Sequence, residues 1–143
     1  MRLFLDTEFN GFGGELISMA LVPDMGQSWY EVCEFGGEVN PWVKEHVLPI
    51  LAKPPKPLAV VKSLFHLFIL QFENPEIVCD WHTDAQHFCS LLDGQDYGSS
   101  LDFACSIRII KTPSGGIPAF GNFSPHNALS DALALRKWFS DGN

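Results

Sequence analysis

The chain has 143 residues and carries nine Lys+Arg against seventeen Asp+Glu, a formal charge of −8, which excludes a broad basic surface for holding nucleic acid. Its 46% hydrophobic and 18% charged residues, with twelve Phe, describe one globular domain and exclude a disordered chain, which is poor in aromatics. No apolar run reaches the ~18 residues of a membrane-spanning helix, and MRLFLDTEF meets an Asp too early for a secretory signal, so a soluble, cytoplasmic protein is expected.

Residues 2–9 read as a strand, with Leu3 and Leu5 on one face and Phe4, Asp6 and Glu8 on the other. Asn10-Gly11-Phe12-Gly13-Gly14 is turn chemistry, and ELISMALV over 15–22 reads as a second strand. Pro23-Asp24-Met25-Gly26 turns the chain into a third strand over 28–35, and the short turns predict an antiparallel meander. Asn40 as cap and Pro41 as first residue begin a helix, PWVKEHVLPIL, which KPPKP at 53–57 breaks. A second helix, apolar enough to be well buried, covers 58–72, and 76–80 reads as a fourth strand.

Thr83-Asp84-Ala85-Gln86 matches the T-x-x-Q capping box and starts a helix that runs to about Leu92. Residues 94–123 are the least regular, with a strand within 101–110 and a loop over 113–123. Ser124-Pro125 reads as a cap and helix start, with the last helix continuing to about Phe139. The order of elements indicates a single α/β domain over 1–143, with a mixed central sheet flanked by helices. Cys33, Cys79, Cys89 and Cys105 include no CxxC pair and are expected as reduced thiols in or near the core.

The informative residues are acids on apolar stripes. Asp6 and Glu8 project from one face of their strand. A wet edge strand would account for the pair, but Phe4 and the apolar strand that follows point the other way. Asp84 shares a helical stripe with Phe88, Leu91 and Leu92, although the helix dipole alone also favours an acid in a first turn. Asp80, closing the strand before it, competes for the same role. Asp131 lies on a stripe with Ala128, Ala132, Leu135 and Phe139. Read inside a helix it has no capping role, and a buried acid there needs an ion pair or a metal. Converging carboxylates call for cations, and oxygen ligands suit Mg²⁺ and Mn²⁺. Two such ions ~3.5–4 Å apart serve in-line phosphodiester hydrolysis.

These residues resemble a known family. Asp6-Thr7-Glu8 resembles the first motif of the DEDD 3′–5′ exonucleases, and Asp84 the second. His126-Asn127-Ala128-Leu129-Ser130-Asp131 resembles the third, in the H-x₄-D form of the DEDDh branch, which includes oligoribonuclease, RNase T and proofreading exonucleases. DTEF…ELISMALV and WVKEHVLP (42–49) are similar to the small exoribonuclease group that includes RNase AS. The resemblance implies a ribonuclease-H-like fold. It also implies two divalent ions, Mg²⁺ or Mn²⁺, held by Asp6, Glu8, Asp84 and Asp131, with His126 as general base. The reaction implied is hydrolysis of single-stranded RNA from its 3′ end to nucleoside 5′-monophosphates. One departure keeps Asp80 in play: Trp81-His82-Thr83 stand where an Asn and an aromatic usually precede the second-motif Asp. On an ideal helix positions 126 and 131 are ~140° apart, so His126 must sit on a loop or a frayed turn to join the acids.

Phe9 and Phe12, beside the first motif, are candidates for stacking on the terminal base, with core packing as the alternative for each. Arg108, Lys111, Arg136 and Lys137 are candidates for upstream phosphates, with surface solubility as the plainer role. Single-stranded DNA is the second choice of substrate, and an inactive nucleic-acid-binding or inhibitor module on the same fold is the rival function. Zinc held by Cys79, His82, His87 and Cys89 is disfavoured, because the predicted helix sends His87 and Cys89 to different sides. The resemblance suggests a homodimer.

Overall fold

β1 (Arg2–Phe9) is the central strand of a five-stranded sheet, and its alternation decides the layers. The computed structural model describes residues 1–94, 100–113, 116–118 and 124–142. β1 pairs antiparallel with β2 (Leu16–Pro23), and β2 with β3 (Trp29–Val32), which is the expected meander. On the other side of β1, β4 (Glu76–Cys79) is parallel to it and β5 (Ser106–Ile109) is parallel to β4. The order β3-β2-β1-β4-β5 makes a mixed sheet flanked by helices, consistent with a ribonuclease-H-like fold.

Leu3 and Leu5 face α2 (Leu58–Ile69) and α3 (His82–Leu92), where they join a buried cluster with Phe65, Ile69, Phe88 and Leu91. Phe4 faces the opposite layer, α4 (Ala128–Ser140), against Ala128, Ala132 and Leu135. The register of β1 on β2 shifts between Glu8 and Phe9. Beside that bulge Ile17 packs on Val43 and Val47, in and just after α1 (Pro41–His46).

The differences from expectation have local causes. Asn40 caps α1 as read, its side chain accepting from the Trp42 N–H at 3.0 Å, but α1 stops at His46. Pro49 has no N–H to continue the ladder, and the chain tightens into a 3₁₀ turn over Leu48–Ile50. α2 ends at Ile69 and is buried on one side only, through Val61, Phe65 and Ile69. Its apolar residues Leu58, Val60 and Leu67 face solvent, so it is not the well-buried helix expected.

Trp81, with extended backbone, precedes α3 and no side chain caps it; Thr83 is buried inside the first turn, so the capping box does not form. α4 starts later than Ser124-Pro125, at Ala128, because Asn127 is the cap and accepts from the Ser130 N–H at 3.2 Å. The strand within 101–110 is confined to β5, and the loop over 113–123 falls largely outside the described residues. All four cysteines are free; Cys33 and Cys79 are buried, whereas Cys89 is exposed, against expectation. Among the described residues no helix is long and apolar enough to cross a membrane.

Candidate active site

Asp6 and Glu8 continue the row that Phe4 begins, at the carboxyl end of β1 on its α4 side. The chain leaves β1 toward β2 and leaves β4 toward β5, so the ends of these parallel neighbours border the crevice where connections diverge. Open α/β sheets place ligands at such a point. Asp131 reaches the crevice from the first turn of α4. Asp84 comes from the first turn of α3, on the opposite layer. Thr7 faces that layer by alternation, and its Oγ1 donates to Asp84 Oδ1 at 2.6 Å.

The acids form two groups, Asp6 with Glu8 and Asp131, and Asp6 with Asp80 and Asp84. Within each group the carboxylate oxygens lie within 4.8 Å of one another, and Asp6 belongs to both. The four acids singled out from the sequence therefore converge. Asp80 joins Asp84 instead of replacing it, with Thr112 Oγ1 donating to its Oδ2 at 3.2 Å. Among the described residues, Cys79, His82, His87 and Cys89 form no comparable group, which counts against the zinc alternative.

Burial is the largest cause of an upward pKa shift at each of four acids, and mutual repulsion adds to it. Asp6 is raised well above its ordinary range by burial, then by Asp84, Glu8, Asp131 and Asp80. Glu8 is pushed up to about 8 by burial, then by Asp131 and Asp84. Asp84 rises to about 7 through burial, although the Thr7 hydrogen bond opposes it. Asp131 rises to about 6 through burial, although the His126 N–H opposes it. Among the described residues none of the five acids pairs with Lys or Arg. Asp84 is only 2% exposed, and among the described residues its buried Oδ2 has no hydrogen-bond partner. An all-oxygen set with an orphaned buried carboxylate oxygen fits a hard divalent cation.

His126 lies ahead of α4 on a loop, as its spacing from Asp131 requires, with φ at +65°. Its main-chain N–H donates to Asp131 Oδ2 at 2.9 Å. Asp131 thus has the end-of-helix role that its reading as an interior residue excluded. The imidazole meets the Trp42 ring edge to face, centroids 4.8 Å apart, and Trp42 in turn stacks on His46 at 4.8 Å. Sequence reasoning used Trp42 only as part of a resemblance. The available signal was a large aromatic on a short helix whose one buried residue is Val43. Asn10 ties this helix to the β1–β2 turn, donating to Glu38 O and accepting from the Asn40 N–H, both at 2.8 Å. Asn127 Nδ2 ties the 3₁₀ turn that follows this helix to α4 by donating to Ile50 O at 3.0 Å.

The same turn separates the two candidate stacking residues. Gly11 takes φ +76°, and a Cβ on Gly14 would lie 2.0 Å from Asn10 O, so the turn requires glycine there. Phe12 at its tip is 89% exposed, whereas Phe9 is half-buried against His87, ring centroids 5.4 Å apart. His87 also lines a cavity of ≈ 350 Å³ that includes none of the five acids.

Three of the four candidate phosphate-binding cations are occupied elsewhere. Arg136 Nη1 donates to Pro23 O at 3.1 Å, Lys137 pairs with Asp141 at 3.0 Å, and Arg108 lies over Phe139 at 5.3 Å. Arg2 shares that Phe139 ring at 5.0 Å. Asp6 lies four residue steps along β1 from Arg2, about 13 Å at ~3.3 Å per residue. This basic group therefore sits toward the other end of the sheet from the acids. Lys111 is exposed.

Over 76 residues the chain is 45% identical to a protein named 3′-5′ exoribonuclease from Mycobacterium tuberculosis (strain CDC 1551 / Oshkosh). It is equally similar to one from strain ATCC 25618 / H37Rv of that species, also named 3′-5′ exoribonuclease. Each match covers 50% of this chain and 45% of the relative. The chain thus spans about half the length of the curated relatives it matches. No family model matches it.

Proposed function

We propose that residues 1–143 are a single DEDDh-type exonuclease domain that hydrolyses single-stranded RNA from the 3′ end to nucleoside 5′-monophosphates. The observation that carries this reading is the meeting of Asp6, Glu8, Asp84 and Asp131 at the carboxyl ends of β1 and β4, with no ion pair to Lys or Arg among the described residues. Similarity to two proteins named 3′-5′ exoribonuclease supports RNA over DNA and catalysis over mere binding.

Asp6, Glu8, Asp84 and Asp131 would hold two divalent ions, Mg²⁺ or Mn²⁺. Such ions, when bound, make water a stronger nucleophile and offset charge on the leaving oxygen. His126 takes the proton of the attacking water. A neutral imidazole is the form that this step requires. Asp131 fixes the loop from which that ring projects, and Trp42 limits its swing. The exposed Phe12 stacks on the terminal base, and Phe9, half-buried against His87, is the second stacking candidate. A duplex end is excluded because the scissile phosphate must descend into the acids. A cytoplasmic location and a homodimer belong to the same proposal, the homodimer as what the family resemblance implies.

A gel time course on 5′-labelled RNA and DNA of identical sequence, with Mn²⁺, Mg²⁺ or EDTA, tests this. A metal-dependent ladder shortening from the 3′ end of RNA is expected. Shortening of DNA alone would overturn the RNA assignment, and no cleavage with either metal would overturn the enzyme assignment.

A further inference from the structure

We infer that Asp80 is a fifth carboxylate ligand, acting with Asp6 and Asp84 on the second of two divalent ions; the inference rests on the metal-dependent reading above. The strand register brings Asp80 there. Phe4 pairs with Val78 across the parallel β1/β4 ladder, and both belong to the cluster on the α4 side. Continuing that register two residues sets Asp80 beside Asp6, on the same side of the sheet. Carboxylate oxygens of Asp6, Asp80 and Asp84 accordingly fall within 4.8 Å of one another.

Two threonines then divide the labour within each flanking acid. Thr7 donates to Asp84 Oδ1 at 2.6 Å, and Thr112 donates to Asp80 Oδ2 at 3.2 Å. Each acid keeps one oxygen clear of its threonine. For Asp84 that oxygen is buried and unpartnered on a residue only 2% exposed. Crowded acids alone would call for no ligand, because a surface cluster is hydrated. A buried carboxylate oxygen that no protein group satisfies, within reach of two other carboxylates, is the kind of atom that a hard cation shared by all three satisfies. Ligand charge sets affinity at such sites. A third carboxylate therefore holds the second ion in the free protein, before any RNA phosphate arrives.

Calorimetric titration of the full chain with Mn²⁺ alone, paired with melting curves in EDTA and in Mn²⁺, tests this. Two ions per chain are expected without RNA. In Asp80→Asn the weaker binding step should fall at least tenfold in affinity while the stronger step stays within threefold. Its melting temperature in EDTA should rise, because one of the repelling charges is gone, and its gain on adding Mn²⁺ should shrink. A merely structural Asp80 would not move those two quantities in opposite directions. Thr112→Val provides a second variant, expected to weaken the same step by up to ~10-fold, on the scale of a lost supporting hydrogen bond. Glu73→Gln, an exposed acid outside both groups, should change nothing. Wild-type protein that binds two ions, with both steps unchanged in Asp80→Asn, overturns the inference and leaves the exonuclease reading standing. Wild-type protein that binds one ion without RNA overturns it as well. Absence of both Mn²⁺ binding and RNA shortening removes the two together.

Discussion

The main-chain N–H of His126 donates to Asp131 Oδ2 at 2.9 Å, so one carboxylate both faces Asp6 and Glu8 and fixes the backbone that carries the imidazole. His126 holds φ +65°, a left-handed conformation that a non-glycine residue adopts at a cost. The hydrogen bond helps to hold it there. His126 and Asp131, base and metal ligand in the function proposed above, are therefore one mechanical unit.

Separating the two roles of Asp131 takes two substitutions. Asp131→Asn keeps an acceptor for the His126 N–H and removes the charge, whereas Asp131→Ala removes both. Each should abolish most of the melting-temperature difference between Mn²⁺ and EDTA, since a lost ligand weakens the ion that stabilises the fold by linkage. Only Asp131→Ala should accelerate amide exchange at His126. Full RNA-shortening activity in Asp131→Asn would sink the site assignment.

His126→Ala should slow hydrolysis by ~10²–10⁴-fold, the usual scale of general-base loss, and leave Mn²⁺ affinity largely intact. His126→Asn is the cleaner variant, because asparagine tolerates the left-handed backbone and supplies no base. Single-turnover rates at saturating Mn²⁺ decide this. A rate within threefold of wild type for both variants would leave the base unassigned.

The raised acids give the ion-free protein an unusual pH response. Asp131, Asp84 and Glu8 are pushed up to about 6, 7 and 8, and Asp6 is raised well above its ordinary range. The folded chain then holds more protons than the unfolded chain between about pH 4 and pH 8. Its stability is fully present below the unfolded carboxylate range and is lost as pH rises through the folded values. In EDTA the melting temperature should fall from pH 5 to pH 8. With Mn²⁺, which binds the deprotonated acids, that fall should vanish or reverse. A flat profile in EDTA would contradict the burial and crowding of these carboxylates.

Gly14→Ala places a methyl group 2.0 Å from Asn10 O, a backbone atom that cannot step aside without opening the turn. A loss of ~1–3 kcal/mol is expected, the scale of overpacking, measured by urea unfolding. Asn10 also tethers the segment before α1, so the turn and Trp42 should loosen together. Faster amide exchange at Asn40 and Trp42 is the signature, and unchanged exchange there would disprove the coupling.

With Arg2 and Arg108 drawn toward the other end of the sheet, Arg136 donating to Pro23 O and Lys137 paired with Asp141, the site should grip few phosphates. A log–log salt slope for RNA binding shallower than about −3 is expected from counterion release. A slope as steep as about −5 would contradict it.

Much of this was legible in the residues themselves. Alternation marks β1 because Leu3 and Leu5 serve one layer and Phe4 the other, and the same alternation betrays Asp6 and Glu8 as acids on a buried row. Asp131 stands out for the same reason on α4. The start of α4 was not legible, because Ser124-Pro125 and Asn127 both offer capping chemistry, and the Asn127 contact with Ile50 is tertiary. Asp80 and Asp84 looked like rivals because choosing between them from one strand and one helix ignores that the β1/β4 register seats Asp80 beside Asp6 while the first turn of α3 brings Asp84 there. The half-exposure of α2 is likewise invisible in a sequence that is apolar on both of its faces.

Three consecutive residues of β1 speak to both sides of the sheet: Asp6 and Glu8 toward α4, and Thr7 toward α3. The strand therefore acts as a caliper whose jaws are the two helical layers. A core substitution that shifts either layer, such as one at Phe88 or Ala132, changes the gap between Asp84 and Asp131 even though it touches neither. Ion affinity should report such distortions earlier than global unfolding does, which makes this centre a gauge of its own scaffold.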